Sequence, residues 1–334
     1  MAILLAALMA CAVDVHQAES FLALMKVPAE ERAVDDFLQL HGTELILAQQ
    51  NVSRTVTAAE YREAMIAALR GKTPNLAQHD APRAARGVEG LLNDVVPSIR
   101  WAAQHPELLR QRLDRFKTID LCAARARAAR YVPARSDAQA NAFVVMGGRA
   151  GAAAIGNDIY FDVLATSYRA AHRNEAYPSD EEILDYFAHE WHHVLYGSAL
   201  AAQRARLKKT TAAYDLLESL LLEGSATYFI NLHRDLSRMK EIEHVDEVLK
   251  SLDDAIAKGD AAGGAFPGNA FHAAGAAMLA EIERAFGNAT VRRVMLDPRL
   301  LLVTYNRAAA KRGARVRYRF RDETASAAAA IDAR

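Results

Sequence analysis

Apolar residues recur at three- and four-residue steps through the first part of the chain, in Phe21-Leu22-Ala23-Leu24-Met25 and again from Tyr61 to Leu69. That spacing predicts amphipathic helices. Breaks fall at Pro28, at Gly71-Lys72-Thr73-Pro74 and at Pro82, where the turn-forming residues interrupt the pattern. Further helices are expected from Leu91 to Trp101 and from Leu108 to Phe116. The character changes near Asn141. Ala142-Phe143-Val144-Val145-Met146 is a short apolar run, Gly147-Gly148-Arg149-Ala150-Gly151 is rich in turn formers, and Ala152 to Val163 is largely apolar again. This reads as two strands joined by a glycine-rich turn. The glycines match neither phosphate-cradling spacing, Gly-x-x-x-x-Gly-Lys-Ser/Thr or Gly-x-Gly-x-x-Gly. After residue 164 the chain reads as mostly helical, with interruptions at Pro267-Gly268 and Asp297-Pro298. The fold class expected is mainly α with a small β-sheet, α+β. Arg315-Val316-Arg317-Tyr318-Arg319-Phe320-Arg321 alternates as an edge strand or a basic arm would and reads best as a solvated face, and Ala325 to Arg334 is a low-complexity end expected to fray.

One predicted helix carries chemistry. Pro178-Ser179-Asp180-Glu181-Glu182 opens it, with Ser179 and Glu182 spaced as a capping box. Ile183, Leu184, Phe187, Val194 and Leu195 give it a buried stripe. Within it stands His189-Glu190-Trp191-His192-His193. His189 and His193 are one turn apart on nearly the same face, so both imidazoles can reach one metal ion. Glu190 lies about 100° round the helix. It is turned away from the ligand direction but near enough to reach a water beside the metal. His-Glu-x-x-His thus supplies two ligands and one general base. His192 has the poorer ligand spacing and reads as packing beside the site. His16, His41, His79 and His105 are too scattered to form a ligand set and read as structural or solvated.

A catalytic zinc keeps three protein ligands and an open position. The residues three and six beyond His193 are Tyr196 and Ala199, which excludes a His-x-x-Gly-x-x-His set. A carboxylate from a second helix is the other common solution. Leu216 to Tyr228 offers Glu218 and Glu223. Glu223 is preferred because an unpaired carboxylate in an apolar helix is costly to bury, and a dication offsets that cost. Gly224 and Ala226 beside it are small enough to let this helix approach the first. Glu218 points about 140° away, so both cannot face one ion. Thr227 is placed to accept from a ligating imidazole. Tyr196, Tyr228, His233 and Tyr305 are substrate-contact candidates, each of which reads more readily as core or surface.

His189-Glu190-Trp191-His192-His193 followed by Glu223-Gly224-Ser225-Ala226 resembles the gluzincin-type zinc-dependent peptidases of bacteria, whose pattern is His-Glu-x-x-His and then Glu-Gly-x-Ala. The resemblance runs from near Asn141 to about Tyr305. It implies a gluzincin-like catalytic core preceded by a helical region, with the strand near Ile159 as the edge on which a peptide lies. Such families often carry Tyr-x-x-Gly on a later helix, where the tyrosine assists the oxyanion. Here the stretch reads Phe271-His272-Ala273-Ala274-Gly275, and His272 would donate that hydrogen bond.

The rest of the composition adds limits. Of the 334 residues, 51% are hydrophobic and 25% charged, and the charges cancel. That balance can bury a core and lacks the basic excess of a nucleic-acid binder. No apolar run is long enough to span a membrane. The two cysteines, Cys11 and Cys122, are too few for a disulfide framework, and Cys122 reads as a small buried hydrophobe. Met1 to Cys11 resembles an export signal, and Leu8-Met9-Ala10-Cys11 a lipobox, although no Lys or Arg precedes the run. Export to the periplasm, cell envelope or medium is expected, with a lipid anchor at Cys11 as one form of it and a cytoplasmic protein if the segment is simply a first helix. The organisation is then 1–12 signal or lipobox, 13–140 helical N-terminal region, 141–322 zinc metallopeptidase region and 323–334 low-complexity tail. The function read is a zinc hydrolase acting on a peptide or protein substrate with Zn2+ as cofactor. Its rivals are a hydrolase of non-peptide amides or esters and a non-catalytic helical binding protein with a structural zinc.

Overall fold

A computed structural model describes residues 12–26, 30–52, 54–134, 136–208, 211–239, 242–258, 270–312 and 318–331. The leader and lipobox, Pro28 and the Pro267-Gly268 break lie outside the described residues. The fold is mainly helical with a small four-stranded mixed sheet. The chain divides into two units, residues 1–124 with 139–190 and residues 125–138 with 191–334.

The first unit holds β1 (Val13–Asp14), α1 (His16–Leu24), α2 (Glu31–Leu38), α3 (His41–Gln50), α4 (Ala58–Leu69), α5 (Pro82–Gly90), α6 (Val96–Gln104), α7 (Pro106–Arg115) and the start of α8 (Leu121–Ala129). A π-helical turn, Leu91–Val95, joins α5 to α6. The unit continues with β2 (Asn141–Val145), β3 (Ala152–Ile155), β4 (Asp158–Asp162), α9 (Val163–Arg173) and the first part of α10 (Asp180–Arg204).

The sheet order is β1-β2-β4-β3, with β2 parallel to both β1 and β4 and β3 antiparallel to β4. This corrects the two-strand expectation. The glycine-rich segment does not make a hairpin; it leads from β2 to β3, which are not neighbours. The hairpin is the β3–β4 pair. It turns at Gly156-Asn157, and Gly156 has φ +61°, a left-handed conformation that tight hairpin turns need and glycine adopts freely. Ile159 therefore sits on an inner strand paired on both sides, and the outer strand beside it is β3. Ile159, Tyr160 and Phe161 are all fully buried.

Asp162 ends β4 and caps α9, accepting from the backbone N–H of Ala165 at 2.8 Å and of Gly148 at 2.6 Å. Complete burial pushes its carboxyl up to about 7 against the pull of these amides and of Arg169. Cys122 is exposed and disulfide-bonded, with its partner outside the described residues. The buried-hydrophobe reading was therefore wrong.

The second unit contains the rest of α10, then α11 (Ala212–Ala226), a π-helical turn over Thr227–Asn231, α12 (Val245–Lys258), α13 (Ala270–Phe286), α14 (Asn288–Leu296), α15 (Leu301–Arg312) and α16 (Asp322–Ala329). Residues 318–321 form no strand. Tyr318 Oη donates to Asp253 Oδ2 at 2.5 Å, and Phe320 exchanges backbone hydrogen bonds with the Asn306 amide. Residues 322–329 are helical rather than frayed, because Thr324, Ala325 and Ala328 of α16 are buried; residues 332–334 lie outside the described residues.

Helices α11 and α13 touch at two facing glycines. A Cβ on Gly224 would come within 2.4 Å of the Cα and carbonyl carbon of Gly275, and one on Gly275 within 2.1 Å of the Leu220 carbonyl oxygen. The expected role of Gly224 is therefore corrected in its partner: it admits α13. Gly224→Ala gains about 1 kcal/mol of helix propensity but forces backbone apart, where overpacking costs about 1–3 kcal/mol and sometimes more. We expect a lower Tm. Gly197 in α10 has no atom within 4 Å of an added Cβ, so Gly197→Ala should raise Tm by roughly 2–4 °C. Thermal unfolding of both variants decides it, and equal stabilisation by the two would remove the close-contact argument.

Candidate metal centre

The helix that carries the motif forms for the reasons written in its first residues. Ser179 N–H donates to Glu182 Oε2 at 2.8 Å and Glu182 N–H to Ser179 Oγ at 3.3 Å, closing the capping box. Arg115 Nε donates to Asp180 Oδ1 at 2.9 Å beside it. Phe187 packs against Phe161 of β4 and Phe116, with ring centroids 6.1 and 6.2 Å away. This aromatic cluster fixes the helix two residues before the first histidine.

α10 then runs unbroken through the motif. His189 and Glu190 are each 7% exposed. The ligating atoms of His189, Glu190 and His193 lie within 4.8 Å of one another, a separation that one ion can bridge. Glu190 shares its surroundings with Tyr160. Burial above all, then the charges of Asp162 and Glu190, hold that phenol protonated well past its usual range. Glu190 is thus a buried carboxylate with an oxygen within 4.8 Å of a ring nitrogen of His189 and of His193.

Glu223 and His272 join His193 in the second unit. His193 Nε2 lies 3.3 Å from Glu223 Oε2, and His272 Nε2 lies 2.9 Å from the same oxygen. The Gly224–Gly275 contact explains the second distance, since Glu223 adjoins Gly224 on α11 and His272 is one turn before Gly275 on α13. The side chain of Glu223 is 32% exposed, not buried as the apolar helix suggested. The buried carboxylate is Glu218, which Arg204 Nη1 meets at 2.6 Å. Burial pushes the Glu218 carboxyl up while Arg204 pulls it down. Burial cost therefore does not pick out Glu223; its direction does.

His192 is fully buried, with Nε2 2.8 Å from Ser225 Oγ. It ties α10 to α11 just beside the motif, which is the packing role expected. Nothing in the sequence marked Ser225 as the partner of His192; Thr227, read as an acceptor for a ligating imidazole, has a hydroxyl with no hydrogen-bond partner among the described residues. Tyr196, Tyr228 and Tyr305 are core residues. Their hydroxyls donate to the Met295 carbonyl, to Glu283 and to the Tyr318 carbonyl. His233 is exposed and, like Arg234, has positive φ, just after the π-helical turn. His41, His79 and His105 make hydrogen bonds to Asp158, to Glu60 and to the Trp101 carbonyl, and His16 is exposed.

Among the described residues, no helix is long and apolar enough to cross a membrane. No curated protein and no solved structure matches the chain. A family model described as "Putative zinc dependent peptidase (DUF5700)" matches residues 34–314. That span takes in most of the chain, including α10, Glu223 and His272, so the chain belongs to this family of zinc-dependent peptidases.

Proposed function

We propose that the chain is a gluzincin-type zinc metallopeptidase in which His189, His193 and Glu223 hold the ion and Glu190 is the general base. The observation that carries this reading is the approach of Glu223 Oε2 to His193 Nε2, 3.3 Å away, on the helix that also bears His189. Two imidazoles and one carboxylate are a catalytic zinc donor set. A zinc ion bound there would polarise a substrate carbonyl and acidify a water. Glu190 takes the proton from that water and passes it to the leaving amine. His272, within reach of Glu223, supplies an N–H to the oxygen that gains charge. The substrate is a peptide or protein, in keeping with the family.

Metal analysis of the purified protein tests this reading. About one zinc per chain is expected from one three-ligand site, and chelation should abolish hydrolysis of a fluorogenic peptide mixture, with zinc restoring it. Hydrolysis that survives complete removal of metal would sink the proposal.

A further inference from the structure

Glu223 Oε2 is approached by two imidazole nitrogens, not one. His193 Nε2 stands 3.3 Å from it and His272 Nε2 2.9 Å. Donor atoms bound to one zinc at 2.0–2.2 Å are about 3.3–3.6 Å apart in a tetrahedral arrangement; the 3.3 Å separation has that length, the 2.9 Å one is a hydrogen-bond distance, and the donor atoms of His189, Glu223 and His272 all lie within 4.8 Å of one another, close enough for one ion to gather. An imidazole that merely oriented Glu223 from outside would be expected on its other oxygen, leaving Oε2 to the ion. Both rings instead aim at the same oxygen. All three side chains keep partial exposure, 16% for His193, 32% for Glu223 and 33% for His272, so an ion can reach them. The backbone enforces the arrangement, since Gly224 against Gly275 brings α11 and α13 too close for any other residue pair.

The geometry points to His272 as a fourth protein ligand of the metal in the substrate-free enzyme, completing a set of three imidazoles and one carboxylate. This rests on the zinc reading above and deepens it. A tetrahedral site filled by four protein ligands has no vacant position, so the water and the substrate carbonyl would enter as His272 comes off. The N–H then faces the oxygen that displaced it, and one side chain serves first as gate and then as hydrogen-bond donor. Regulation is thereby built into the metal site: a ligand that cannot displace His272 is not hydrolysed.

Zinc K-edge X-ray absorption on the zinc-loaded full chain counts imidazoles directly. Wild type should show three and His272→Ala two. Zinc affinity should fall by more than about 100-fold, beyond the 10–100-fold typical of a lost outer partner. His272→Gln separates ligand from positioning residue, because its amide can still donate to Glu223 but ligates zinc poorly. It should lose affinity as His272→Ala does. Two imidazoles in wild type, or wild-type affinity in His272→Gln, would overturn the fourth-ligand proposal while leaving the zinc peptidase intact. A wild type that binds no zinc would overturn both. A thermal scan of each variant shows whether a loss reflects unfolding instead; should His272→Ala unfold, the wild-type imidazole count decides alone.

Discussion

Replacing Glu190 by Gln should lower peptide hydrolysis by about 10²–10⁴-fold, the usual contribution of a general base, and leave bound zinc near the wild-type level. The substitution keeps the size of a side chain that is only 7% exposed, and it touches neither imidazole. Thermal stability should therefore stay close to wild type. Loss of activity with metal and fold retained separates a hydrolase from a binding protein that merely contains zinc, because a structural site has no use for the carboxylate. The measurement is kcat/KM on a cleaved peptide alongside metal content. An active wild type whose rate is unchanged by Glu190→Gln would refute the mechanism.

The second large effect concerns the two glutamates of α11. Glu223→Ala should lose most of the bound zinc, since it removes the carboxylate nearest His193. Glu218→Ala should keep it. Glu218 is held by Arg204 at 2.6 Å, and Arg204 retains Asp215 at 2.7 Å when Glu218 is gone. Equilibrium dialysis against zinc measures both variants. Equal retention in the two would take Glu223 out of the site.

What could be read from sequence was local. The capping box, the helix it starts and the one-turn spacing of His189 and His193 depend on neighbours within four positions, and all are present. The strand pattern was harder. Ala152 to Val163 is apolar almost throughout, so nothing in its periodicity divides it into β3 and β4 except Gly156-Asn157, and a parallel β2–β4 pairing cannot be seen from alternation in an element buried on both faces. The site's nonlocal half was legible only as residue types. Helix pitch says only that Glu218 and Glu223 cannot both face one ion, and the reason given for preferring Glu223, burial, applies to Glu218 instead. That error has a physical source: Arg204, fourteen residues away, is what makes a buried Glu218 tolerable, and no short-range pattern announces it. The same holds for His192 with Ser225 and for Gly224 with Gly275.

The π-helical turn at Thr227–Asn231 bears on how this chain tolerates changes of length. Such a turn is how a helix absorbs one extra residue without shifting what precedes it. It begins just after Glu223, Gly224 and Ser225, so the residues that meet His272, Gly275 and His192 are insulated from a gain or loss downstream. A residue deleted there lets the helix return to regular winding with the carboxylate in place. A residue deleted between Thr211 and Glu223 has no such buffer. It would swing the carboxylate by about 100° round the axis and carry Gly224 out of its contact. A one-residue deletion before Glu223 thus displaces the carboxylate, whereas one within Thr227–Asn231 leaves it where it is.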